Sequence, residues 1–203
     1  MKKLLAVVLG GLIAFVWSAM IHMNPVTGEM GLSAMDEKTE DVVMAALKAN
    51  LQQDALYFYP GMDMSKKMSK EEEAAWTAKY KAGPAGLLLY HPTPGEPMGA
   101  KHLVVEFVSD VFCALLAVII IAGTGGGVLY RATIVATLGL FAWITLSISQ
   151  WNWYGFPFKW IMLDVIDQVA GWFLAGLVMA KLVKAAPCYV PAPTMKEPDP
   201  VKA

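Results

Sequence analysis

Four long apolar runs limit what this chain can fold into. They are Leu4–Met20, Leu103–Ala122, Ala132–Ile148 and Trp160–Val183. Each approaches the ~20 residues that cross ~30 Å of hydrocarbon at a rise of ~1.5 Å per residue. Backbone in lipid finds no water to bond, so each run must satisfy its own amides and carbonyls as a helix. Only 16% of the 203 residues are charged, against about 25% in a soluble domain. The expected fold is an all-α membrane bundle of four transmembrane helices, with a small α+β extracytoplasmic domain inserted between the first and second. The divisions are residues 1–23 for the first helix, 24–100 for the inserted domain, 101–185 for the remaining helices and 186–203 for a disordered tail rich in proline and charge.

Basic residues set the orientation, because short cytoplasmic loops are enriched in Lys and Arg. Lys2 and Lys3 precede the first run, Arg131 lies between the second and third, and Lys181 and Lys184 close the fourth. All five share one side if both termini are cytoplasmic. Residues 24–100 then face the periplasm of a bacterial inner membrane. Lysines within that segment do not count against this, since long translocated domains largely escape the rule. Val16-Trp17-Ser18 is a poor cleavage triplet, so the first run reads as a retained helix rather than a signal peptide. A formal net charge of −1 gives nucleic acid no footing. Cys113 inside the second run and Cys188 in the tail are placed too far apart to pair.

Residues 24–100 alternate helix and strand signals. "MDEKTEDVVMAALKANL" (35–51) carries apolar residues at helical spacing, with its acids first and Lys48 late. "ALYFYPG" (55–61) and "GLLLYHP" (86–92) read as strands. "SKEEEAAWTAKYKAG" (69–83) opens with the capping-box pair Ser69 and Glu72. A paired two-stranded sheet with both helices on one face is expected. About 75 residues make a thin core, so the domain is expected to lean on the membrane helices or on another subunit.

Three groups of residues carry candidate chemistry. The first is "QWNWYGFPFKW" (150–160), read as a tight aromatic loop between the last two runs. Trp151, Trp153, Tyr154 and Trp160 suit the membrane–water interface, where a ring with one apolar and one polar edge is favoured. With Phe156 and Phe158 they also suit a docking surface for a partner helix, a quinone-like ring or a pigment.

The second group is acidic. Glu106 and Asp110 share a face of the second run, and Asp164 and Asp167 share a face of the fourth. Glu106 and Asp164 each lie about 7 Å beyond a lysine that marks the run's start, and Asp110 and Asp167 lie about 12–13 Å beyond it. A charged Asp at the centre of a lipid-facing helix costs about 2.5–3.5 kcal/mol. These faces should therefore look into the bundle or a wet cavity, with Ser109, Ser147, Gln150 and Gln168 alongside. Such carboxyls bind a cation, share a proton, or pin the bundle through hydrogen bonds. No repeated broken-helix pattern of a transporter is present, so a conducting path would need a homo-oligomer.

The third group is His22, His91 and His102 with Met62, Met64 and Met68. Imidazole suits haem or a magnesium pigment, and closely spaced thioethers suit copper(I). Lys66 and Lys67 would repel a cation there, and methionine is also ordinary core filler. The sequence has no Ser-His-Asp arrangement, HExxH or P-loop, which leaves no catalytic residue to name.

"LYFYPGMD" (56–63), "YHPTPGEPM" (90–98) and "WNWYGFP" (151–157), in this order among four hydrophobic segments, resemble a bacterial family of uncharacterised inner-membrane proteins. The resemblance spans most of residues 4–185. It implies the topology above and no activity. The first functional expectation is a non-enzymatic membrane subunit that stabilises or assembles a larger complex through its aromatic loop and outer domain. The alternatives are an ion, proton or small-ligand binder that uses the four carboxylates, and periplasmic copper handling.

Overall fold

The computed structural model describes residues 1–63 and 65–187. Met64, Cys188 and the rest of the expected tail lie outside the described residues. The elements in chain order are α1 (Lys2–His22), α2 (Glu37–Asn50), β1 (Ala55–Tyr59), α3 (Lys70–Ala82), β2 (Gly86–Tyr90), α4 (Ala100–Ala122), α5 (Val128–Tyr154) and α6 (Phe158–Leu182). Helices α1, α4, α5 and α6 are each long and apolar enough to cross a membrane. They coincide with the four apolar runs and extend beyond most of their ends.

Helix α6 is central. It packs along α5 on one side and α1 on the other, and α1 in turn packs along α4. Helix α4 meets α5 and α6 only slightly. The buried side chains are mostly small, among them Ala6, Ala114, Ala117, Ala175 and Ala180, with Ile121, Val135 and Met179 filling the spaces between. Large apolar side chains point outward instead: Phe112, Ile119 and Phe141 are each more than 60% exposed. Small residues inside and large ones outside is the arrangement expected in lipid. Tails as apolar as leucine give helices no hydrophobic reason to associate, so close backbone approach and dispersion must hold them. Gly11 and Gly139 mark two such approaches. A Cβ on Gly11 would lie 2.8 Å from the Val111 Cα, and one on Gly139 would collide with the Gln168 carbonyl.

The end of the bundle opposite the inserted segment is tied by Arg131. Its guanidinium donates to the Val183 carbonyl at 2.9 Å and to the Ala180 carbonyl at 2.5 Å. These are the last carbonyls of α6, which have no partner within the helix. A buried cation there also suits the negative end of the helix dipole. Ala186 N donates to Thr124 O and so holds the chain after α6 on the α4–α5 turn.

The aromatic stretch is not a loop. Helix α5 runs on through Trp151, Trp153 and Tyr154, and only residues 155–157 join it to α6. The apolar run ends at Ile148, where polar Ser149, Gln150 and Asn152 follow, but helical hydrogen bonding does not need that hydrophobicity. Gly155 stops the helix. Its left-handed φ of 72° suits the residue after a helix end, and Pro157 then caps α6 at a φ its ring already favours.

In the inserted segment β1 and β2 pair antiparallel, with Tyr57 opposite Leu88. Helix α3 begins with a complete capping box between Ser69 and Glu72 and packs on the hairpin. Trp76 Nε1 donates to the Pro60 carbonyl at 3.1 Å, and Tyr80 stacks on Phe58. Helix α2 is capped by Asp36, which accepts from the Thr39 hydroxyl and amide. Those two bonds hold the Asp36 carboxyl below the usual carboxylate range. Among the described residues of 24–99 only Pro60 is fully buried. The core is thus as thin as the length implied, and Leu56 and Leu89, paired across the sheet, lie more than 60% exposed.

Candidate functional site

A half-open cavity of about 550 Å³, with polar and apolar side chains in equal number on its lining, lies at the end of the bundle where the inserted segment begins and ends. Helix α1 contributes Ser18 and His22, α4 contributes Glu106, α5 contributes Ser147 and Gln150, and α6 contributes Asp164, Asp167 and Gln168. A smaller cavity of about 40 Å³ adjoins it deeper in the bundle. It shares Ser18, Glu106, Asp167 and Gln168 with the first and adds Asp110 and Trp172. Glu106, Asp164 and Asp167 therefore line the first cavity, and Asp110 lines the second with Glu106 and Asp167. Helices α4 and α6 hardly touch, and α1 stands beside both and supplies the polar groups between them.

Each acid has a different environment. Asp167 is the most enclosed, at 8% exposure. Its Oδ2 accepts from the Ser18 hydroxyl at 3.3 Å and lies 3.6 Å from His22 Nε2. Asp164 Oδ2 accepts from the buried Ser147 hydroxyl at 3.0 Å. Asp110 Oδ2 is buried with no hydrogen-bond partner. Glu106 lines both cavities and is the most open of the four. Ser109, expected beside it, donates instead to the Glu106 carbonyl on an exposed face. A buried carboxylate oxygen without a donor costs about 1–3 kcal/mol or more. Hydrogen bonds among these side chains therefore leave one Asp110 oxygen without a donor.

Aromatic groups frame the space. Trp143 projects from α5 and donates from Nε1 to the Ile161 carbonyl at 2.6 Å. Trp160 is half-buried, with its ring centre 6.4 Å from that of His22. Gly31, at φ 83°, lies so close to it that a Cβ would come within 2.6 Å of the Trp160 Cβ. The segment after α1 thereby folds over the start of α6, and Thr27 secures it by donating to the Ile21 carbonyl. Trp151 meets Phe158 edge to face at 6.1 Å across the Gly155 turn. Trp153, Tyr154 and Phe158 are more than half exposed, whereas Phe156 is half-buried.

The three histidines line two different spaces. His22 belongs to the acidic cavity. His91 Nδ1 lies 2.7 Å from Asp54 Oδ1, and with His102, Glu96 and Met98 it lines a separate open groove. Met62 and Met68 flank the turn before α3, where Lys66 pairs with Asp63 at 3.6 Å. The Asp63 carboxyl also accepts from Ser65, which holds it below the usual carboxylate range. Among the described residues no three His, Cys, Asp or Glu side chains are grouped to hold a metal ion.

Sequence reasoning passed over Ser18, Trp143 and Trp172, and grouped His22 with the other histidines and the methionines as a candidate haem, pigment or copper ligand. The signal for the α1 contribution was present. Gly10, Ala14, Ser18 and His22 recur every fourth residue, so they form one stripe of small and polar groups down a helix face. Arg131, used only for orientation, proved to be the cap of α6. Compared with protein-family models, curated proteins and solved structures, the chain matches none.

Proposed function

We propose that this chain is an integral protein of a bacterial inner membrane that binds a proton or a cation in an acidic cavity opening to the periplasmic side. One observation carries this reading. Glu106, Asp164 and Asp167 line one cavity and Asp110 lines its smaller neighbour with Glu106 and Asp167, and among the described residues His22 is the only basic group on either lining. Four carboxyls so placed raise local cation concentration in a low-dielectric cleft. Both termini are cytoplasmic in this reading, and the inserted segment is periplasmic. Arg131, Lys181 and Lys184 cluster by sequence at the opposite end from the cavity, which supports that orientation.

The test is stability against pH and cations in wild type and in Asp110→Asn with Asp167→Asn. A ligand bound only by the folded state stabilises it by about 2.7 kcal/mol at a hundred times its Kd. Wild type should gain stability with a suitable cation and the double variant should not. Equal responses in both would remove the cavity from consideration.

A second reading has its own support. Trp153, Tyr154, Phe158, Leu56 and Leu89 leave apolar surface uncovered outside the helix bundle's core, as an accessory subunit of a larger membrane complex would. Extraction in mild detergent at natural abundance, followed by mass spectrometry, would show larger subunits at equal stoichiometry. Recovery as a single species would argue against that role.

A further inference from the structure

Among the described residues, the end of the bundle away from the inserted segment carries cations and no acid. Lys2 and Lys3 start α1, Lys181 lies in the last turn of α6 and Lys184 follows it, and all four are exposed. Arg131, buried beside them, adds a fifth charge. The acids nearest to them in the described sequence are Glu29, Asp110, Asp164 and Asp167, which lie in the inserted segment or line the two cavities. A chain with a net charge of only −1 is therefore strongly polarised from end to end. Residues 188–203 add two lysines and two acids and leave that balance unchanged.

Packing gathers the lysines into one rim. Helices α1 and α6 run antiparallel: a Cβ on Gly10 would lie 2.6 Å from the Met179 Sδ, and one on Gly171 would lie 2.6 Å from the Trp17 Cδ1. The same register puts Ala6 and Val183 in one buried cluster and so sets Lys2 and Lys3 beside the chain that leaves α6. Ala186 N donates to Thr124 O at 3.1 Å, which holds Lys184 near the α4–α5 turn. That turn is five uncharged residues, 123–127. The ammonium groups thus stand where the apolar helices end, and exposed Leu4, Leu5 and Leu129 adjoin them.

We infer that this rim binds anionic phospholipid, with the phosphate among Lys2, Lys3, Lys181 and Lys184 and the acyl chains along the exposed leucines of α1 and α5. The inference rests on the membrane placement of the four helices and is independent of the acidic cavity. Charge complementarity selects the head, since a lysine near an anionic lipid surface is worth about fivefold in affinity. Lysine stems lie along apolar surface while their ammonium groups reach the headgroups. An acidic protein would meet the lysines and leave the leucines beside them to other molecules, whereas one phospholipid covers both.

The experiment uses the full chain in phosphatidylcholine vesicles with a trace of phosphatidylglycerol spin-labelled on its acyl chain. Electron spin resonance measures the fraction immobilised at the protein, against spin-labelled phosphatidylcholine. Both leaflets have the same composition, so the orientation of the inserted protein does not matter. Phosphatidylglycerol should be preferred about fivefold or more in wild type. The preference should fade in 1 M salt, where charges are screened beyond about 3 Å. It should be lost when Lys2, Lys3, Lys181 and Lys184 are all replaced by Gln, and kept when all four are replaced by Arg. Lys101→Gln with Lys159→Gln, at the opposite end, should leave it unchanged. Equal association of the two lipids in wild type would overturn the inference and leave the lysines to an acidic protein. An undiminished preference in the fourfold Gln variant, or an equal loss in the Lys101 and Lys159 variant, would also overturn it. A chain that stays outside the vesicles would overturn it together with the membrane placement.

Discussion

Replacing Arg131 with Met removes the guanidinium and keeps most of the apolar stem. The two bonds to the Ala180 and Val183 carbonyls are lost. A hydrogen bond to a charged group contributes about 1.5–3 kcal/mol, so together they are worth about 3–6 kcal/mol. Arg131 Nε is buried without a partner, and removing it returns about 1–3 kcal/mol. Taking the low ends and the high ends together, the expected net loss is about 2–3 kcal/mol. Arg131→Lys keeps the charge near the helix end and reaches one carbonyl, so it should lose about half as much. Reversible unfolding in mixed micelles, titrated with denaturing detergent and followed by tryptophan fluorescence, measures both. A Met variant within about 0.5 kcal/mol of wild type, the ordinary range for an unimportant surface change, would refute the claim that Arg131 holds the end of α6.

Other consequences follow from the packing and the caps. Gly139→Ala places a methyl against the Gln168 carbonyl and should destabilise the α5–α6 pair by about 1–3 kcal/mol; unfolding in the same micelles at wild-type stability would show that the two helices separate without cost. Ser69→Ala removes the side-chain half of the α3 capping box and should cost the inserted segment about 1 kcal/mol, read as faster amide exchange in the first turn of α3. Asp36 has a folded pKa below its unfolded value, so its capping contribution is present above about pH 4 and is lost as pH falls through the lowered folded value. The protection factor of the Thr39 amide, which removes the intrinsic pH dependence of exchange, should fall on acidification in wild type, and Asp36→Asn should show no such fall.

How much of this was legible in the sequence depends on what fixes each feature. The membrane helices were legible because lipid leaves a backbone no alternative to helix over ~20 residues. The hairpin and the α3 cap were legible because Pro60-Gly61, Ser69 and Glu72 act over a few residues. The cost of a carboxylate in lipid pointed the four acids inward; Asp110, Asp164 and Asp167 are buried or half-buried, whereas Glu106 is exposed. Their meeting was not legible, because it depends on α1 lying between α4 and α6, a packing order that no local spacing encodes. Ser109 shows the limit of face-based reasoning: a serine in a helix can bond back to its own turn and leave the cavity. The end of α5 was misjudged for a related reason. Hydropathy ends where lipid ends, whereas hydrogen bonding carried the helix on to Gly155.

The central claim is that the converging carboxyls change state when a cation arrives. Infrared difference spectroscopy on the reconstituted full chain measures this directly, by exchanging cation-free buffer for buffer containing ethylammonium. The account predicts a carboxylate difference signal in wild type that shrinks in Asp110→Asn and Asp167→Asn and vanishes when the two are combined. An unchanged spectrum in wild type, or the same signal in the double variant, would contradict it.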